Sequence, residues 1–433
     1  MQNKRTAMLY SDDPHTIISY GILAKSIMEN TSNAINWKFI SKQIQHMLPE
    51  NYYDYTRYPA GSNEEELNTQ MIPELCERFD PEFYLTIGDI QHFRMTRYFI
   101  ERKMPWIHYL PIDSHDKNSI RMNAYTIHNV DIPVCMSRFA RDFCLESGLE
   151  NCDKFIYPIV KSEYSEREFQ MVKNKEPTWE SVHLGFRKVK EKEESDLYSL
   201  INAFKQELKI PENTTILLFL GRMGWRKNPQ FLFSILRKLT KERKRKVILY
   251  FHTDVNDPAS VINMSKEFYA HDVPEDAIRR TKGYKWYKGI HTSALNAIYN
   301  IADIQISTHG GEGFGIPLAE GLAAELPFVA TDCTTTPELS GNNKWSLGVK
   351  VKHNIPDKGI VRPYVDLEDF CDKIEYLIDN ENERAKMGRM GREWVKKTLN
   401  PEKISKKWME VFDLTNVNKI TVKKNEYGKA VLK

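Results

Sequence analysis

At 433 residues, 41% of them hydrophobic and 28% charged, the chain has the apolar material for two or three packed cores. Its 62 Lys+Arg stand against 59 Asp+Glu, a net charge of +3, which excludes the polycation expected of a nucleic-acid binder. An aromatic content of 11% excludes a disordered chain.

The basic start, MQNKRTAMLYSDDP, is broken at Asp12, Asp13 and Pro14, before a secretory apolar stretch can develop. Nowhere does a run approach the roughly 18 apolar residues of a membrane span. A cytosolic protein is expected, with peripheral membrane contact left open. Strands are predicted at 7–11, 36–41, 82–89, 105–111, 132–137 and 154–160, with helical spacing over 18–30, 66–79 and 138–147. Short apolar strands alternating with helices imply a parallel sheet covered on both faces. Segment 164–204, with the charge run FRKVKEKEESD, reads as a linker carrying a surface helix.

The same rhythm restarts at TTILLFLG (214–221) and the amphipathic stretch 229–242. It continues through a strand at 246–254, a helix around 292–302, a strand at 303–308, a helix near 317–325 and the strand PFVATD (327–332). The fold class expected is α/β, two Rossmann-like doubly wound lobes facing a central cleft. An N-terminal lobe covers 1–163 and a C-terminal lobe 205–401; 402–433 is a last helix and basic tail that packs back on the first lobe. Two such lobes put a ligand crevice at the carboxyl ends of their strands.

Six cysteines, at 76, 135, 144, 152, 333 and 371, form no CxxC pair. They read as reduced, small apolar residues, neither a disulfide framework nor a zinc knuckle.

Two constellations carry chemistry. THGGEGFGIPLAEGLAAELPFVATD (308–332) is a strand, a glycine-rich turn and a helix starting near Pro317. Its glycines allow close backbone approach, and the amides of a helix start favour an anion. Glu312 in the turn and Glu320 on the first helical turn are suited to accepting hydrogen bonds from sugar hydroxyls. LGRMGWRKNP (220–229) clusters Arg222, Arg226 and Lys227 at the end of a strand, where a doubly wound sheet holds phosphate. Neither GxxxxGK[ST] nor a GxGxxG after the first strand is present, which argues against a P-loop enzyme and a dinucleotide-dependent dehydrogenase.

These residues resemble the donor site of retaining GT-B glycosyltransferases of the family 4 type (glycosyl transferases group 1). The likeness rests on Glu312-x7-Glu320 in EGFGIPLAE, on PFVATD with Pro337-Glu338, and on GRMGWRKNP. ALNAIYNIADIQIST, SRFARDFCLESGL, PWIHYLPID, ISYGILAKSI and MGRMGREWV extend it over nearly the whole chain. The resemblance implies that Arg222 and Lys227 hold a donor diphosphate. Glu312 would bind the transferred sugar and Glu320 the ribose. Backbone around Gly221, Gly313, Phe314, Gly315 and Ile316 would line the donor, and Gly21 the acceptor side. It implies a hexosyltransferase working with retention, by same-face attack, with no cofactor and no metal. Its partners would be a nucleotide sugar and an acceptor glycan, lipid or protein, not nucleic acid. Gly321, Leu322 and Glu325 depart from the family pattern behind the site.

On the acceptor side, His108 and Asp113 are expected to point into the crevice and orient or deprotonate the acceptor hydroxyl. Glu312 as a nucleophile is the alternative mechanism. A non-catalytic nucleotide-sugar or glycan-binding protein on the same scaffold is the alternative function. Asp12-Asp13 and Asp113/His115/Asp116 read as helix-capping loops rather than metal ligands. The basic stretch 237–246 reads as a solvated face, with anionic lipid as the other option. Trp225, Trp286 and Tyr287 divide between packing and stacking on a donor.

Overall fold

The computed structural model describes residues 4–13, 19–42, 56–59, 70–94, 96, 104–160, 205–258, 260, 263–281, 284–285, 290, 292–357, 359–416, 422–424 and 430–432. The chain divides into two compact units, Met1–Ile159 with Pro401–Lys433, and Val160–Asn400. The expected linker at 164–204 lies outside the described residues, as do Trp286, Tyr287 and most of the basic tail.

The first unit is built on seven parallel strands: β1 Arg5–Ser11, β2 Ile35–Ser41, β3 Thr56–Pro59, β4 Tyr84–Ile87, β5 Trp106–Leu110, β6 Ile132–Cys135 and β7 Lys154–Phe155. Their order is β3-β2-β1-β4-β5-β6-β7, so the direction of winding reverses between β1 and β4. Strands β4, β5 and β6 are buried along their whole length, which is why they read as unbroken apolar runs. Ser137 caps the helix Arg138–Glu146 by accepting the Ala140 amide at 3.0 Å.

This core is completed by the helix Pro401–Asp413. Trp408 meets Tyr109 edge-on at 4.9 Å, and Phe412 stacks on Phe83 at 4.8 Å. Arg5 donates to the Phe412 carbonyl at 3.0 Å and to Thr415 Oγ1 at 2.7 Å.

The second unit repeats the plan. Its strands are β8 Thr215–Leu220, β9 Val247–His252, β10 Ile278–Arg280, β11 Ile304–Ser307, β12 Phe328–Thr331 and β13 Leu347–Val349. All are parallel, in the order β10-β9-β8-β11-β12-β13. The reversal here falls between β8 and β11. The amphipathic helix Gln230–Arg237 buries Leu232, Phe233, Ile235 and Leu236, with Phe233 stacked on Phe251.

Several elements differ from the sequence reading. The run 154–160 makes only the two-residue β7, and β3 was not anticipated. Helix 117–129 (KNSIRMNAYTIHN) went unread because it is mostly polar and buries only Ile120, Thr126 and Ile127. The stretch 229–242 is α-helical only to Arg237 and widens into a π turn over Lys238–Glu242. The antiparallel hairpin of β14 (Val351–Asp357) and β15 (Ile360–Val365) was also unforeseen.

The basic stretch 237–246 is not a free solvated face. Lys238 and Arg243 pair with Glu368, Arg243 and Arg245 with Glu375, and Arg245 with Asp379, all on the helix Leu367–Asp379. Lys241 pairs with Asp272. Among the described residues no helix is long and apolar enough to cross a membrane.

Glu325, a departure from the resembled pattern, lies at φ +59°, the left-handed region that favours glycine. Behind it, the helix Glu381–Thr398 approaches so closely that a Cβ on Gly388 would stand 2.1 Å from the Glu325 carbonyl oxygen. Alanine in a helix normally gains about 1 kcal/mol over glycine. Here the collision with backbone reverses the sign: Gly388→Ala is expected to lower unfolding stability by about 1–3 kcal/mol, read by denaturant titration. A stabilised variant would contradict the packing.

Candidate functional site

The site lies in the second unit, at the carboxyl ends of β8 and β11. The strand order reverses there, the position at which open α/β sheets generally place a ligand crevice. The first loop leaves β8 through Gly221 at φ +145°. A single 3₁₀ turn, Trp225–Lys227, is closed by Asn228 in the left-handed region, φ +47°. The second loop runs from Thr308 to Gly315, which at φ +91° turns the chain into the helix Ile316–Ala323.

Hydrogen bonds sew the two loops together. Thr308 Oγ1 donates to the carbonyls of Lys227 at 2.8 Å and Asn228 at 3.0 Å. Asn228 Nδ2 returns a bond to the Thr308 carbonyl at 3.2 Å. The Gly310 amide donates to the Arg226 carbonyl at 2.7 Å.

Glu312 sits at the join. Its carboxylate takes Arg226 Nη1 at 2.8 Å on one oxygen and Lys227 Nζ on the other. Arg226 also donates to the Gly311 carbonyl, and the Glu312 amide donates to Thr334 Oγ1 at 2.9 Å. Burial alone would raise the Glu312 carboxyl; the adjacent charges of Arg226 and Lys227 outweigh it and hold the group well below the carboxylate range. Glu312 is therefore an anion at any working pH.

Glu320 lives in the opposite environment. It falls on the second turn of its helix rather than the first, and Tyr299 of the helix Thr292–Ile301 donates to its Oε2 at 2.8 Å. No cation is among the causes that shift it, so burial raises it to about 7, with the Tyr299 bond opposing.

Arg222 grips Asp257 with a fork, Nε to Oδ2 at 2.6 Å and Nη2 to Oδ1 at 2.7 Å. Asp257 is buried, and Arg222 keeps 46% of its side chain exposed. His309 is buried beneath the glycine turn, and burial pushes it down to about 3. Its Nδ1 accepts the Gly311 amide at 3.1 Å, which leaves the proton on Nε2, 3.2 Å from Thr336 Oγ1. Phe314 is buried, its carbonyl taken by Thr335 Oγ1 at 2.8 Å; a Cβ on Gly315 would press on Leu339 at 3.0 Å. Gly313 and Ile316 flank that pair.

The structure thus brings Lys227, Glu312, Gly313, Phe314, Gly315 and Ile316 together with Arg226, and sets Glu320 one helical turn on. Sequence reading left Arg226 without a partner and missed Asp257, Tyr299, His309 and Thr334. These lie up to 35 residues from the side chains they serve, and nothing in the spacing links them.

The first unit corrects one expectation. His108 does not line an open surface: it is fully buried between Phe93 and Trp106, its Nδ1 2.7 Å from Thr86 Oγ1. Burial pushes it down to about 3, against a Gly88 backbone bond, so it is neutral and enclosed. An inward-facing position on a central strand is a core position. Asp113 is half-buried beyond the end of β5. Gly21 has a packing reason: a Cβ there would lie 2.4 Å from the Asp13 carbonyl oxygen. Asp116 caps helix 117–129, and Asp13 accepts Ser41 Oγ at 2.8 Å.

Residues 201–394 match the glycosyl transferases group 1 family. The second unit belongs to that family. The chain therefore carries a glycosyltransferase domain. A curated D-inositol 3-phosphate glycosyltransferase from Corynebacterium aurimucosum is 24% identical over 203 residues, 45% of this chain and 43% of the relative. The chain thus spans less than half the length of that relative. Among solved structures, a glycosyltransferase from Rickettsia africae is 17% identical with a TM-score of 0.68, over 96% of this chain and 100% of that one. Sucrose-phosphate synthase from Thermosynechococcus elongatus is 12% identical with a TM-score of 0.71, over 95% and 98%. An Anabaena protein solved in complex with UDP-glucose is 10% identical with a TM-score of 0.68, over 94% and 99%. The fold is GT-B.

If Arg226 and Lys227 share one carboxylate, the pairs are energetically coupled. A double-mutant cycle on Arg226→Ala and Glu312→Ala is expected to give a coupling of about 1 kcal/mol or more, by chemical denaturation. Additive effects would place Arg226 outside the site.

Proposed function

We propose that the protein is a retaining glycosyltransferase that moves a sugar from a nucleoside-diphosphate donor to a hydroxyl of a glycan, lipid or protein. The observation that carries this reading is the Glu312 carboxylate held between Arg226 and Lys227 at the strand reversal. The UDP-glucose bound by the Anabaena neighbour supports the donor class.

A diphosphate entering the crevice takes Lys227, and the exposed Arg222, as its cations. Glu312, released by Lys227 and kept by Arg226, turns an ionised carboxylate to the sugar hydroxyls. As the anomeric C–O bond breaks, negative charge grows on the diphosphate beside fixed cations, which favours the transition state over the ground state. The acceptor oxygen bonds to the same face, and its proton passes to the departing phosphate oxygen. No protein nucleophile is needed. Glu312 suits that role poorly, because Arg226 stays on its carboxylate and keeps it a weak base.

The test is nucleotide release from UDP-, GDP- and ADP-sugars. Lys227→Ala and Arg222→Ala are each expected to lower kcat about 10²–10³-fold. Donor-dependent thermal shift with no turnover on any acceptor would instead identify a non-catalytic binder. No shift with any nucleotide defeats both readings.

Glu320 sets a pH signature. Below about 7 it is protonated; above, it accepts from both ribose hydroxyls as an anion. Nucleotide affinity is therefore expected to rise between pH 6 and 8, and Glu320→Gln to flatten that slope. Without donor the sign is opposite for folding. The raised value favours the native state fully below the ordinary 4.5, and that contribution is lost as pH climbs through about 7. Calorimetric titration across this range reads the first effect, and thermal melts the second.

A further inference from the structure

Three cysteines of the first unit, distant from each other in any sequence pattern, converge on one point. Cys135 ends β6, Cys144 lies on the helix Arg138–Glu146, and Cys152 stands just before β7. Their sulfurs all lie within 4.8 Å of one another, and all three residues are fully buried.

The backbone fixes them there. Cys135 is locked in the sheet, its carbonyl accepting the Ile156 amide at 3.0 Å. The Cys144 carbonyl accepts the Leu149 amide at 3.0 Å, and the Leu149 carbonyl accepts the Cys152 amide at 3.0 Å. Backbone bonds thus link Cys144 through Leu149 to Cys152, while Cys135 is fixed in the sheet beside β7. All three cysteines belong to the hydrophobic core that also contains Ala140, Phe143 and Leu149.

Thiolate donors select soft ions such as monovalent copper, or zinc. Zinc wants four ligands, and the group contains only three, with no histidine or carboxylate among the described residues to complete it. A metal–sulfur bond of about 2.3 Å in a trigonal array needs sulfurs about 4 Å apart, so the observed cluster must contract by less than roughly 1 Å. We propose that Cys135, Cys144 and Cys152 form a three-sulfur site for one monovalent copper ion. Thiols that ionise on loading release their protons to solvent, so uptake weakens as pH falls. The site is independent of glycosyl transfer.

The experiment adds copper(I), as its acetonitrile complex under anaerobic conditions, to the full-length protein in competition with a chromophoric copper(I) chelator. One equivalent is expected to be retained and the melting temperature to rise. Cys144→Ala and Cys152→Ala should lower copper affinity at least 100-fold, and Cys76→Ala should leave it unchanged. X-ray absorption on the loaded wild type should count three sulfurs, which keeps the test decisive if a variant fails to fold. Retention unaffected by Cys144→Ala, failure of the folded wild type to retain copper, or a coordination shell of nitrogen or oxygen overturns the proposal. So does loss of two thiols to a disulfide in air with no copper uptake.

Discussion

The loops after β8 and β11 are charge-locked by one carboxylate shared by two cations. The winding of the sheet reverses there, and no strand pairing extends far enough to tie them. Hydrogen bonds of Thr308, Asn228 and Gly310 join them, and Glu312 adds the charged tie, from the β11 loop to Arg226 and Lys227 of the β8 loop. A buried carboxylate without partners would cost several kcal/mol and take up a proton instead. With two cations and a supporting backbone it stays ionised, and the loops stay together. The glycines around it follow from the same constraint, since backbone rather than side chain fills the join.

Two glutamates eight positions apart on one motif thus sit in contrasting environments, and chemistry follows from the contrast. Glu312 is surrounded by charge and remains an anion. Glu320, with a phenol for a partner, is poised to change state near neutrality. Only the second can be switched by pH near neutrality.

The sequence carried the alternation of strands and helices in both units, since buried parallel strands are written as apolar runs. It also carried the glycine turn, the glutamate pair and the basic loop, which are local in the chain. What it did not carry was tertiary. His108 was read as a wall of a crevice because alternation says which residues share a face, not whether that face is covered. Helix 117–129 hid in polar sequence. Glu325 was read as a departure from glycine, and only its φ shows that the backbone kept the glycine conformation. The cysteines at 135, 144 and 152 looked scattered because they fall on a strand end, a helix and the connection before the next strand.

A ligand that draws Lys227 away from Glu312 exchanges one anion for another, so the lysine loses little. The carboxylate is the group at risk. Stranded in a buried position it would be driven to protonate, and a neutral acid grips hydroxyls less well than an anion. Arg226 removes that penalty, because it holds the second carboxylate oxygen and is itself anchored on the Gly311 carbonyl. Of the two cations, the lysine is the flexible point charge, and the proposed function has it move to a phosphate. On that proposal Arg226, tied through Nη1 to the Gly311 carbonyl and to Glu312, stays and preserves the charge of the carboxylate. The division of labour follows from the geometry of the two side chains, and it explains why one carboxylate carries two partners where one would neutralise it.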